Sequence, residues 1–319
     1  ANINKSNTIE NSQNNEKQEL LDIKNDYVFK RTFGYKGDEE VTKVLLRDIL
    51  GMKVNEIDLD VNPITEKELM DDKLGIMDIA SVVNDNVQVD IEMQVVNKNN
   101  IEKRIMYYWN AYYQKSISKG DDYGELKRTI IILIADFEIK EIEQAKKYFT
   151  EWEIREKDYS ELILTDVLKI CIIELPKYIK YKVNNPNLNL WTEFLENPEV
   201  INMSEKDIEN EKDESIKTTK KAIKQAKDTL EQISKDKHEQ ELARLRKKYI
   251  MDQNAIQEYG YCQGVEDGKR DGIEIGKNDG IQFEKIETAK KMLAKKMPID
   301  VIIEITGLSK EEIEDIKKL

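Results

Sequence analysis

Apolar residues in the first 200 positions of the chain fall in short, sharply bounded runs. Residues 39–50 place Val41, Leu45 and Ile49 at four-residue spacing with Gly51 just beyond, which predicts an amphipathic helix stopped by glycine. Strands follow. Residues 57–64 alternate loosely, 74–83 are apolar and branched, and 87–96 alternate strictly, with Val87, Val89, Ile91, Met93 and Val95 on one face. The polar tripeptide Asn84, Asp85, Asn86 joins the last two as a hairpin loop. Residues 101–118 read as an aromatic-rich helix. The solid apolar run 129–135 predicts a central strand covered on both faces, and 168–175 a second strand ending at Pro176. The elements add up to a mixed sheet with helices on its faces.

The two ends of the chain differ from this pattern. Residues 1–19 are mostly Asn, Gln, Ser, Lys and Glu, with little to bury against the entropy of ordering, and are expected to be a disordered tail ahead of a globular domain at 20–200. Beyond Pro198 the strand signal disappears. In a charged helical stretch, 201–258, Ile216, Thr219, Ile223, Ala226, Leu230 and Ile233 keep a 3,4 spacing that predicts a short coiled-coil seam. Residues 259–284 carry Gly260, Gly264, Gly268, Gly272, Gly276 and Gly280 at an unbroken spacing of four, and 285–319 form a small helical tail broken at Pro298 and Gly307.

Composition narrows the chemistry. Within 319 residues, charged side chains make up 36% and the net charge is −13. No stretch approaches the ~20 apolar residues of a membrane span, and the N-terminus lacks a signal-peptide pattern, so a cytoplasmic protein with no membrane partner is expected. Cys171 and Cys262 lie too far apart in sequence to suggest a disulfide scaffold or a zinc site. The single histidine, His238, sits in a run of Lys, Glu and Gln, which removes triads, Cys-His dyads and histidine metal sites unless this one residue serves. Catalysis, if present, rests on carboxylates, lysines or amides.

The hairpin supplies such groups. Its second strand puts Asp90, Glu92 and Gln94 on the face opposite the valines. With a three-residue loop, Val83 faces Val87 and Asp78 falls opposite Glu92, their Cβ atoms ~5 Å apart. Like charges so placed repel, and a divalent cation held between them removes the repulsion; Mg²⁺ suits a site with few protein carboxylates. A two-residue loop would instead turn Asp78 to the other face. Asp90 reads most simply as a charge on the strand's open, solvated face.

Asp78 in GIMDIASVV, with Glu92 and Gln94 in VDIEMQVV, resembles the PD-(D/E)xK nuclease core of Rpn-type recombination-promoting nucleases, the PD-(D/E)xK family transposases. The stretch Asn25-Asp26-Tyr27-Val28-Phe29-Lys30 with Phe33-Gly34 resembles that family's opening motif. Arg104, Tyr107, Tyr108 and Tyr112 resemble its helix after the catalytic strand, and IELPK and WTEFL the end of its domain. The resemblance spans roughly residues 20–200, and the glycine array and tail are similar to the family's C-terminal part. It implies a restriction-endonuclease-like α/β fold followed by an all-helical region. It also implies Mg²⁺- or Mn²⁺-dependent cleavage of DNA in a bacterial recombination, mobile-element or phage-defence setting. Asp78 and Glu92 would hold the metal, with the Ile91 or Met93 carbonyl. Gln94 stands at the family's lysine position, and Asp26 is an additional candidate ligand or, equally, a helix cap.

Net acidity is at odds with a DNA partner, but local balance is not. Residues 97–119 contain Lys98, Lys103, Arg104, Lys115 and Lys119 against one acid, Glu102, so the helix after the active strand is expected to meet the phosphate backbone, its tyrosines stacking or packing. Lys30 reads as a phosphate or structural contact. Interior glycines cost a helix about 0.8–1 kcal/mol each. Their strict spacing favours a self-association helix, and hence a homo-oligomer, over a linker. Residues 305–309 resemble the turn of a helix-turn-helix, read first as oligomerisation or docking and second as DNA binding. The family further implies a short C-terminal product that inhibits the full-length enzyme, and Met251 is a possible internal start for it. A catalytically weak, oligomeric DNA-binding protein is the alternative of a different class.

Overall fold

The computed structural model describes residues 19–35, 37, 39–60, 79–97, 100–201 and 203–318. The tail at 1–18, the segment 61–78 that includes Asp78, and Lys98 lie outside them. Contacts divide the chain into one compact unit up to Ile250 and a second from Met251 to Leu319.

The first unit is built on a six-stranded mixed sheet, in the order β1-β2-β3-β4-β6-β5. The strands are β1 (Ile57–Asp60), β2 (Ile79–Val83), β3 (Val87–Gln94), β4 (Arg128–Ala135), β5 (Phe149–Trp152) and β6 (Leu168–Glu174). Strands β3, β4 and β6 run parallel, while β1, β2 and β5 pair antiparallel at the two sides. The hairpin register is the one expected of a three-residue loop: Val83 pairs with Val87 and Ile79 with Ile91. Asn84 and Asp85 adopt left-handed backbone there, at φ 49° and 64°, a region Asn and Asp tolerate.

One face of the sheet is covered by α1 (Asp26–Phe33), α2 (Glu40–Leu50), α4 (Pro186–Glu196) and α6 (Glu214–Lys235), packed on Val87, Val89, Ile91 and Met93. Helix α2 ends as its sequence predicts, with Gly51 left-handed at φ 64° and its N–H bonded to the Arg47 carbonyl. The other face is covered by α3 (Ile101–Gln114), whose Ile101 and Ile105 pack on Ile131 and Leu133 of β4. The short α5 (Glu205–Glu209) precedes α6.

Helix α6 departs from expectation. Its 3,4 seam is no coiled coil: Thr219, Ile223, Ala226 and Leu230 are fully buried against α2, α4 and α1. Asp48 anchors this packing, accepting from Trp191 Nε1 at 2.9 Å and Thr219 Oγ1 at 2.7 Å. Helix α7 (Lys237–Ala294) gives its first turns to this unit through Leu242 and Ala243.

In the second unit, the last turns of α7 pack with α8 (Ile299–Thr306) and α9 (Lys310–Lys318) around Ala289, Met292, Ile302, Leu308 and Ile313. Gly307 is left-handed between α8 and α9. Ser309 and Glu312 cap each other's backbone N–H reciprocally at the start of α9.

Because α6 belongs to the core, Leu230→Ala should destabilise the first unit by about 2–5 kcal/mol. Urea denaturation followed by tryptophan fluorescence reads this directly, since all three tryptophans lie in that unit. A change within ±0.5 kcal/mol, the usual result of an exposed position, would mean α6 stands apart from the core.

Candidate active site

Strand β3 lies inside the sheet, so every side chain it carries meets a neighbour. Its alternation sends Gln88, Asp90, Glu92 and Gln94 to the α3 face, where the parallel register sets Asp90 beside Ile131 and Glu92 beside Leu133. Asp90 is 0% exposed and Glu92 5%. This corrects the reading of Asp90 as a solvated charge: α3 closes over a face that alternation alone leaves open. On the β1 side, Asp60 pairs with Ala80, which pairs with Asp90, so acidic side chains continue toward the sheet edge.

Glu92 is the chemically unusual group. Its Oε2 accepts from the Gln94 amide at 3.2 Å, while its buried Oε1 has no hydrogen-bond partner. Burial pushes the carboxyl well above the usual glutamate range and Asp90 pushes it further, while the Arg104 guanidinium and the Gln94 amide pull it back. Arg104 reaches over from α3. Its Nη2 donates to Tyr108 Oη at 3.0 Å, its guanidinium lies 5.7 Å from the Tyr108 ring centroid, and its buried Nη1 has no partner. A carboxylate oxygen left bare in a buried, acidic setting fits a divalent cation, which a neutral ligand would not match. Among the described residues no three Asp, Glu, His or Cys side chains converge as a metal cluster.

The remaining expected residues are placed as follows. Both oxygens of Asp26 bind Arg246 at 2.6–3.0 Å, and the cap of α1 is Asn25. The opening motif as a whole docks on the start of α7. Asn25 donates to the Ala243 carbonyl, and Glu239 accepts from Tyr27 and Arg31. Lys30 is half-buried on α1, and its side chain neighbours Gly34, which faces Ile79 at the start of β2. Lys103 and Lys115 are exposed on and just after α3. The three tyrosines divide: Tyr112 is buried and donates to the Ser81 carbonyl at 3.0 Å, Tyr108 is half-buried, and Tyr107 is 70% exposed. His238 is exposed, and Cys171 is a buried thiol pushed up to about 12 by desolvation.

In the second unit the six glycines lie within helix α7, as the array reading requires, and nothing stands within 4 Å of where a Cβ would sit on any of them. Helix α9 exposes Glu311, Glu312, Glu314 and Asp315. Among the described residues no helix is long and apolar enough to cross a membrane.

A mixed sheet with a central acidic strand, flanked by helices on both faces, is the restriction-endonuclease-like fold. Residues 23–260 match the family profile "PD-(D/E)XK nuclease family transposase", and the chain belongs to that family. Residues 282–318 match the C-terminal HTH domain of the Rpn/YhgA-like nuclease family. That match puts DNA binding ahead of docking for the tail, reversing the order read from sequence. No curated protein and no solved structure matches the chain.

The raised Glu92 carboxyl has a consequence for stability. At this carboxyl the folded protein holds its proton more tightly than the unfolded chain, so the group's contribution to metal-free stability is fully present below the ordinary glutamate range and is lost as pH climbs from there through the raised value. Glu92→Gln should remove this fall, giving melting temperatures in EDTA that decline less between about pH 5 and about pH 9 than those of the wild type. Parallel declines in the two proteins would show that Glu92 titrates alike in both states.

Proposed function

We propose that the chain is a divalent-metal-dependent DNA endonuclease with little sequence preference, acting in bacterial recombination, mobile-element movement or phage defence. The observation that carries this reading is the buried, unpartnered Glu92 Oε1 on the acidic strand of a nuclease-family fold. Glu92 and Asp78 would hold Mg²⁺ or Mn²⁺, with the Ile91 or Met93 backbone carbonyl. Bound there, such a cation would supply a water of lowered pKa and countercharge for the phosphate. Gln94 orients Glu92 through its amide hydrogen bond. Lys30, Lys98, Lys103 and Lys115 supply backbone affinity.

Supercoiled plasmid incubated with Mg²⁺ or Mn²⁺ should be nicked or linearised by the wild type, and not by Asp78→Ala or Glu92→Ala, with EDTA abolishing cleavage. Cleavage that survives both substitutions would move the site elsewhere.

A nuclease restrained by its own C-terminal region is the second reading. The compact unit that begins at Met251 supports a separable C-terminal product. Self-association through α7 completes the reading, since Tyr259, Tyr261, Ile273 and Phe283 are exposed along the glycine-bearing stretch. Replacing Gly268, Gly272 and Gly276 by leucine should raise helicity yet dissociate the assembly in light scattering. An unchanged oligomer would reject the glycine interface.

A further inference from the structure

Two buried polar atoms, one on β3 and one on the α3 helix that covers that face of the sheet, have no hydrogen-bond partner. Glu92 Oε1 lacks a donor and Arg104 Nη1 lacks an acceptor, and the helix that carries Arg104 packs on β4, the strand beside Glu92. The two side chains form no ion pair with one another, and each is held back by its own tether, Gln94 on Glu92 and Tyr108 on Arg104. Desolvating both groups without pairing them is unfavourable, and the arrangement makes sense where a third species joins them. That species must offer a cation to the carboxylate and an anionic oxygen to the guanidinium. A metal-bound phosphate diester does both.

The motif's fourth position sharpens this. Gln94 is a neutral amide, so it can orient Glu92 but brings no charge to the phosphate. Lys24 is committed to Asp136 at 3.0 Å and to Glu196 at 3.6 Å, and Lys103 is exposed to solvent. Arg104 comes from the helix that covers the Glu92 face, and its Nη1 is buried with no partner. Its planar fork, stacked near and bonded to Tyr108 one helical turn away, is pre-set for a phosphate oxygen.

Building on the nuclease reading, we propose that Arg104 is a catalytic residue that donates Nη1–H to a non-bridging oxygen of the scissile phosphate, supplying from α3 the positive charge that Gln94 does not. It transfers no proton. Water attack forms one P–O bond as the other breaks, the water's proton passes to solvent, the leaving oxygen takes one from solvent, and the guanidinium stays charged throughout.

The test uses the full chain in four forms: wild type, Arg104→Gln, Arg104→Lys, and Arg104→Gln combined with Gln94→Lys. In single-turnover plasmid cleavage with Mn²⁺, Arg104→Gln should lose about 100-fold in rate, the usual effect of removing one charge-stabilising donor. Arg104→Lys should retain part of the rate. Lysine at 94 should recover about tenfold, because charge is restored at the same phosphate. Calorimetry without DNA should show Arg104→Gln binding Mn²⁺ several-fold more tightly, since a cation beside the carboxylates is gone. In Ca²⁺, a short duplex should bind Arg104→Gln with a salt slope smaller by about one ion. Equal loss in both single variants, with no rescue and unchanged Mn²⁺ affinity, would show a purely structural residue and overturn the proposal. A wild type that does not cut defeats the nuclease reading itself. Arg104 is then judged by the salt slope and Mn²⁺ affinity alone, and the absence of both shifts overturns it.

Discussion

Two carboxylates stand on an interior strand of a sheet covered on both faces, and the rest of the first unit is arranged around holding them there. Asp90 and Glu92 are buried, which an ordinary strand would avoid because charge is costly to remove from water. Strand β3 tolerates them because its other face is fully apolar: Val87, Val89, Ile91 and Met93 lock it to the α1, α2, α4 and α6 layer. Helix α3 then supplies both the lid and the countercharge. Ile101 and Ile105 bind the lid to β4, and Arg104 is carried between them toward Glu92.

The opening motif packs on the start of α7. Asn25, Asp26, Tyr27 and Arg31 each reach residues more than two hundred positions away, at the start of α7. The Glu239 carboxylate is pushed up by burial but held below its usual range by Arg31 and Tyr27, so it stays charged as the hub of the clasp. The same segment that begins the nuclease unit therefore ties in its last helix.

Much of this was legible in the sequence, and the misses have physical causes. Period-two alternation revealed β3, and the glycine stop placed the end of α2, because both signals are local. The turn at Asn84 and Asp85 settled the hairpin register that the sequence left open. The burial of Asp90 was not legible, since alternation reports which residues share a face and not whether another element covers it. The α6 seam misled for the same reason: a 3,4 spacing shows an apolar stripe without naming its partner. Strand β5, four residues at the sheet edge with Trp152 exposed, is too short to leave a periodic signal. The partner of Asp26 is a contact of long sequence separation, for which one sequence carries no mark.

A second buried charge pair in the same sheet shows why the bare atoms at Glu92 matter. Glu174, at the end of β6, is as buried as Asp90, and its partner Lys177 is 1% exposed. Here both carboxylate oxygens are taken, by Lys177 Nζ at 2.7 Å and the Ile139 amide at 2.7 Å, and Lys177 also reaches the Ile142 carbonyl. Such a pair is closed: every charge has its complement within the chain, and its effect is to fix the turn after β6. The register sets Gln94 beside Ala135 and Ala135 beside Glu174, so Glu92 and Glu174 lie toward the same end of the parallel strands β3 and β6, with β4 between them. Both are buried, and they differ in satisfaction. The chain can therefore neutralise a buried glutamate at this end of the sheet, which makes the incomplete pairing of Glu92 with Arg104 a property of the site and not of the fold.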